Sequence, residues 1–150
     1  MTAVCRASKA GLVRSLGADD VIDYTRDGLG SRKYDVIIDL GGDRRLSVLR
    51  RSLTPRGTLV LVGGGYDQGR MLGGYSRQLL RAPVLSLFVG QRLRSLGARE
   101  RAADLDELRD LIESGAVTPV VERTYPLAAA PDAIRRLTGA RPAGKLVVTV

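Results

Sequence analysis

A doubly wound α/β fold built on a parallel sheet is predicted by three features of the sequence. Short apolar runs alternate along the chain with longer amphipathic ones. Two of those runs, Tyr34 to Leu40 (YDVIIDL) and Thr58 to Val62 (TLVLV), are apolar on consecutive positions, as strands covered on both faces require. Glycines stand at the junctions where strand should give way to turn or helix.

The elements follow in order. Thr2 to Cys5 reads as a strand. Ser8 then stands as an N-cap for a helix with Leu12, Val13 and Leu16 on one face and Gly17 at its end. Asp20 to Tyr24 (DVIDY) is a short strand, and residues 25–33 are polar loop with a short helical turn. After the YDVIIDL strand, Gly41 and Gly42 break the run and Asp43 caps a helix. That helix buries Leu46, Leu49 and Leu53 and turns Arg50 and Arg51 to solvent. Thr54-Pro55-Arg56-Gly57 reads as a turn before the TLVLV strand, which ends in Gly63-Gly64-Gly65. Residues 66–81 carry no clear pattern, and Val84 to Val89 reads as a further strand. Glu100 to Ser114 is an amphipathic helix, with Leu105, Leu108, Leu111 and Ile112 at helical spacing and Gly115 as its stop. Val117 to Tyr125 is extended, with Pro119 marking an irregular or edge position. A helix over Ala128 to Leu137 and a final strand from Lys145 to Val150 close the chain.

Composition narrows the chemistry. The chain has 150 residues, enough for one sizeable core, with 44% hydrophobic and 27% charged residues. Its longest uncharged apolar stretches, Thr58 to Tyr66 and Ala82 to Gly90, are too short to span a bilayer, and no signal peptide is visible at the start. A single cysteine, Cys5, offers no internal disulfide, so a cytoplasmic setting is expected. With no histidine and one cysteine, the chain cannot supply a zinc site of the usual Cys/His kind. Ser-His-Asp and Cys-His catalysis are excluded within it for the same reason. The formal net charge of +8 comes from arginines spread over the whole sequence, without basic runs interleaved with aromatics. That pattern fits a solvated basic surface better than a nucleic-acid footprint.

Some residues stand where a dinucleotide-binding sheet does its work. Such a sheet holds pyrophosphate on a G-x-G-x-x-G turn after its first strand. Gly63, Gly65 and Gly69 follow a strand, but their last gap is one residue too long, which favours a βα loop over a phosphate cradle. The strand ending at Val4-Cys5-Arg6 has no acidic residue beside it, and Lys9 follows about one turn later. Arg6 and Lys9 could donate to a phosphate, but on these residues alone the reading as ordinary surface cations stands ahead.

Five blocks then share one order and spacing: LVRSLGADDVIDYTRD, YDVIIDLGG, LTPRGTLVLVGGG, LIESGAVTPVVERTYPLAAAPDAIRRL and AGKLVVTV. Together they resemble the medium-chain dehydrogenase/reductase superfamily, and within it the quinone oxidoreductase-like branch of zinc-binding dehydrogenases and NAD(P)-dependent alcohol dehydrogenases. The resemblance implies an incomplete Rossmann-type sheet, lacking the first strand and glycine-rich turn. It implies a partial nucleotide-binding domain over residues 1–116, and a segment over 117–150 that in the family completes a GroES-like catalytic domain. It implies NADP as cofactor in preference to NAD, no zinc, and a zinc-independent oxidoreductase that passes a hydride to a quinone, enone or related carbonyl compound. Small-molecule substrates and a homodimer are implied, with no membrane or nucleic-acid partner.

Position by position, Arg6 and Lys9 match contacts to the 2′-phosphate of NADP, and Tyr24 matches a tyrosine near the same phosphate. Val62 and Gly63 match the strand end beside the nicotinamide ribose, and Phe88 a backbone contact to the nicotinamide amide. Arg141 and Lys145 match positions near the cofactor's phosphates. Read without the family, Phe88 is a core residue, Tyr24 either closes the core at its strand end or serves a ligand, and Lys145 is a surface lysine. No catalytic acid is indicated. The family's N-terminal catalytic domain, first strand and glycine turn have no counterpart here, so an inactive fragment or a non-enzymatic binding module stands as the alternative.

Overall fold

A computed structural model describes residues 1–40, 44–62, 81–96, 101–140 and 142–150. The chain divides into two compact units, one of Met1–Asp23 with Glu100–Val150, the other of Tyr24–Arg99.

In the first unit, β1 (Thr2–Cys5) pairs in parallel with β2 (Asp20–Asp23), Cys5 opposite Asp23. The connection enters α1 (Ala10–Ser15) through a 3-10 turn at Ala7–Lys9. Ser8 therefore does not cap the helix: it lies inside that turn, the residue before the turn is Arg6, and no side chain supplies the cap bond. Gly17 ends the helix with φ of 98°, where a side chain would be strained. Further along, α4 (Ala102–Glu113) stops before Gly115, again at positive φ. Its leucines 105, 108 and 111 and Ile112 are exposed. Then β6 (Val121–Pro126) leads through a 3-10 turn into α5 (Ala130–Ala140), whose second residue, Pro131, suits a helix start. Finally β7 (Lys145–Thr149) pairs in parallel with β6. Tyr125 is buried on β6, with the Arg123 guanidinium 5.1 Å from its ring centroid.

The second unit is a three-stranded parallel sheet in the order β3 (Tyr34–Asp39), β4 (Leu53–Val62), β5 (Arg92–Leu96). Two sequence expectations are corrected here. The segment expected as a strand at 84–89 is instead helical at residues 81–86, labelled α3, followed by a turn that leaves Phe88 80% exposed rather than in the core. The strand lies further on, at Arg92–Leu96, where arginines alternate with a buried Leu93. With Leu93 its one buried residue, the strand carries no apolar run, and its arginines hid it from a search for such runs. Ser86 ties α3 to β5: its hydroxyl donates to the Gln91 carbonyl and accepts from the Leu93 amide.

Thr54-Pro55-Arg56-Gly57 is likewise no turn between elements but an irregular stretch within β4. Tyr34 pairs with Leu53 while Val36 pairs with Thr58, so the extra residues bulge out of the ladder where Pro55 has no N–H to give. Gly57 makes the bulge possible, since a Cβ there would stand 3.0 Å from the Tyr34 carbonyl. The core lies under one face of β4, where Leu59 and Leu61 are fully buried with Leu49 of α2 (Leu46–Arg51). Arg50, expected in solvent, is half-buried and donates from Nε to Gln91 Oε1 at 3.2 Å. The break and cap expected at Gly41, Gly42 and Asp43 lie outside the described residues, as does the glycine run from Gly63.

Candidate cofactor site

In parallel α/β sheets a ligand binds outside the carboxyl ends of the strands. Arg6 follows the last residue of β1 and is exposed, and Tyr24 follows the last residue of β2 and is 42% exposed. Val62 is the last residue of β4.

The first unit brings two of the candidate segments together. The Lys9 ammonium donates a 2.7 Å hydrogen bond to the carbonyl of Pro142, which lies between Arg141 and Lys145 in sequence. An ammonium has three N–H groups, and among the described residues this is the hydrogen bond found for it. The Pro142–Lys145 turn is itself tightly seated. The Lys145 amide donates to the Val120 carbonyl at 2.7 Å, and a Cβ on Gly144 would come within 2.5 Å of the same oxygen. Glu122 completes the seat. Its Oε1 accepts from Arg136 Nη2 at 2.7 Å and Nε at 3.2 Å, and its Oε2 accepts from the Ala143 amide. The guanidinium above all, then the amide, hold its carboxyl below the ordinary value of 4.5. Lys145 is exposed at the start of β7. Arg141 and Gly63 lie outside the described residues.

Phe88 is not brought to Val62. It lies four residues before β5, and β5 runs parallel to β4 with Arg92 opposite Thr58, so Phe88 belongs to the amino end of that strand pair. The residue opposite Val62 is Leu96, the last of β5 and 54% exposed. Sequence reasoning missed Leu96 because it placed the strand too early. It missed Glu122 because a lone acidic residue in a strand carries no positional signal.

A cleft of about 310 Å³ in the second unit is lined by Ser47, Arg50, Arg51, Pro55, Val89, Gly90 and Gln91. Those residues cluster where β4 and β5 begin, the end opposite the carboxyl edge, so cavity size and strand direction point to different places. Strand direction is the better guide: Arg50 already donates to Gln91, whose amide in turn bonds the carbonyls of Arg50 and Thr54, a packing role.

Parallel strands joined by helices, with Arg6 just past the end of β1, mark a Rossmann-type α/β protein. The sequence matches the zinc-binding dehydrogenase family over residues 16–148, and the chain belongs to that family. Among curated relatives it is 31% identical to the mitochondrial NAD(P)H oxidoreductase RTN4IP1 of Mus musculus, across 100% of this chain and 41% of that protein. It is 25% identical to a chloroplast envelope quinone oxidoreductase homolog of Arabidopsis thaliana, across 99% of this chain and 44% of the relative. The solved quinone oxidoreductase of Coxiella burnetii shares the fold, with a TM-score of 0.73 at 21% identity, over 99% of this chain and 44% of that one. The chain thus spans less than half the length of the relatives it matches.

The curated relatives overturn the cytoplasmic setting expected from the sequence, since the two just named are a mitochondrial and a chloroplast protein. A lone cysteine argues only against an oxidising compartment, and says nothing to separate the cytoplasm from a reducing organelle interior.

Proposed function

We propose that this chain is the nucleotide-binding part of an NADPH-dependent oxidoreductase that reduces a quinone, enone or related carbonyl compound. The observation that carries the reading is the Lys9–Pro142 hydrogen bond, which seats a cation beside the turn that leads into Lys145. Family membership and the oxidoreductase names of the relatives support the general class.

The residues present fit a nicotinamide dinucleotide phosphate. Lys9 carries a cation suited to phosphate oxygens, and the family resemblance assigns Arg6, Tyr24, Arg141 and Lys145 to the same group. Val62 and Leu96 end neighbouring strands at the carboxyl edge of the second unit's sheet, the kind of edge where a nicotinamide would lie, and the resemblance assigns Gly63 to the same end. When bound, the reduced nicotinamide supplies the hydride. The chain's own residues bind, orient and balance charge, and none of them is assigned as a proton donor. Zinc does not fit: the sequence has no histidine and one cysteine, so no step is routed through a metal.

In this reading residues 1–116 form part of the nucleotide-binding domain and residues 117–150 contribute to the catalytic domain. Association of two copies belongs to the same reading, with β5, which pairs only with β4 among the described residues, as the edge. No helix among the described residues is long and apolar enough to cross a membrane.

The test is a titration of the full-length protein with NADPH and NADH, followed by turnover with a generic quinone. Tighter binding of NADPH together with quinone-dependent oxidation is expected. Failure to bind either nucleotide would leave a non-enzymatic module as the better description.

A further inference from the structure

Lys9 sits on a flexible four-carbon stem, and its value to an anion depends on what holds it still. A loose ammonium must give up its freedom when it binds, whereas one already seated gives up less. The seat is the Pro142 carbonyl, 2.7 Å away. That carbonyl belongs to a turn whose next residue, Ala143, donates its amide to Glu122. Glu122 in turn is gripped through two nitrogens by Arg136 of α5. The Glu122 side chain is only 20% exposed, and Gly144 leaves no room for the turn to settle closer to β6.

We propose that Glu122 is a positioning residue for recognition of the nucleotide's 2′-phosphate. It pins the turn from β6, the turn presents one carbonyl at a fixed place, and that carbonyl orients the Lys9 ammonium toward the phosphate. The proposal rests on the NADPH reading above and adds a residue with no contact to the nucleotide. Arg136 is the second member of the device, since it holds the Glu122 carboxylate from the helix side. A salt bridge that only stabilised the fold would affect NADPH and NADH alike. One that orients Lys9 must act on the 2′-phosphate alone, the single group by which the two nucleotides differ.

The experiment measures dissociation constants for NADPH and NADH with the full-length protein, in wild type, Lys9→Met, Glu122→Gln, Arg136→Met and the Lys9→Met/Glu122→Gln double variant. Circular dichroism spectra establish that each is folded. The expected result is that Glu122→Gln and Arg136→Met each lower the NADPH-over-NADH preference about threefold or more. In the Lys9→Met background Glu122→Gln should then lower it no further, because both act through one ammonium. Glu122→Asp, which keeps the charge, should recover part of the preference and serves as the readout if Glu122→Gln does not fold. An unchanged preference in folded Glu122→Gln, or equal losses for both nucleotides, overturns the positioning role while leaving the NADPH reading intact. An unchanged preference in Lys9→Met removes Lys9 from 2′-phosphate recognition and overturns the proposal, whereas a wild type that does not prefer NADPH overturns the NADPH reading itself.

Discussion

Val62 and Leu96 stand opposite each other at the carboxyl ends of two parallel strands, β4 and β5. Their register decides which residue of the edge strand can reach a ligand at that end of the sheet. Phe88, at the other end of the pair, cannot share that position.

A bulky substitution at Leu96 follows from this pairing. Leu96→Trp should weaken NADPH binding about tenfold or more, because ring placement at a strand end tolerates little displacement. Its melting temperature should stay near wild type, since Leu96 is 54% exposed. Phe88→Ala is the control and should leave NADPH binding unchanged. Equal effects from the two variants would remove Leu96 from the site.

Removing the Lys9 ammonium should cost the 2′-phosphate a charge-assisted hydrogen bond. Such a bond contributes about 1.5–3 kcal/mol, so Lys9→Met should raise the NADPH dissociation constant by about tenfold or more. NADH binding should change little. Calorimetric titration with both nucleotides reads the difference directly.

Gly144→Ala tests the tightness of the Pro142–Lys145 turn. The added methyl would meet the Val120 carbonyl at 2.5 Å, and both partners are backbone with little room to yield. A loss of about 1–3 kcal/mol in unfolding free energy is expected from overpacking, measured by urea denaturation. A neutral result would mean that the turn is free to shift.

The core under β4 is the main store of stability in the second unit. Leu61 is fully buried there beside Leu59. Leu61→Ala should cost about 2–5 kcal/mol through lost transfer energy and the cavity left behind. The exposed Ile38→Ala, on the open face of β3, should cost far less in the same assay.

Glu122 gives stability a defined pH dependence. Arg136, and secondly the Ala143 amide, hold its folded carboxyl below the ordinary value of 4.5. A depressed folded value means that the unfolded chain takes up the proton first as pH falls. The contribution is therefore fully present above that ordinary value and is lost as pH drops through the lower folded one. Glu122→Gln should flatten this acid limb of the unfolding midpoint plotted against pH. An identical acid limb in the variant would assign the dependence to other carboxylates.

The sequence by itself determined the parallel α/β class, because near-continuous apolar runs such as YDVIIDL and TLVLV alternate with amphipathic helical segments, although Val36 and Ile38 of the first run lie exposed. It determined the stops at Gly17 and Gly115, where the backbone takes a positive φ that other residues resist. It also ruled out a Cys/His zinc site within these residues, since the ligands are simply not encoded. The location of β5 was not legible, because Arg92, Arg94 and Ser95 leave Leu93 as its one buried residue and no apolar run. Only the tertiary structure decided that Lys9 meets Pro142, 133 residues along the chain, and that Glu122 holds the turn between them. Those contacts depend on how β6, β7 and the turn between them pack together, and local periodicity carries no record of which distant backbone carbonyl a lysine will find.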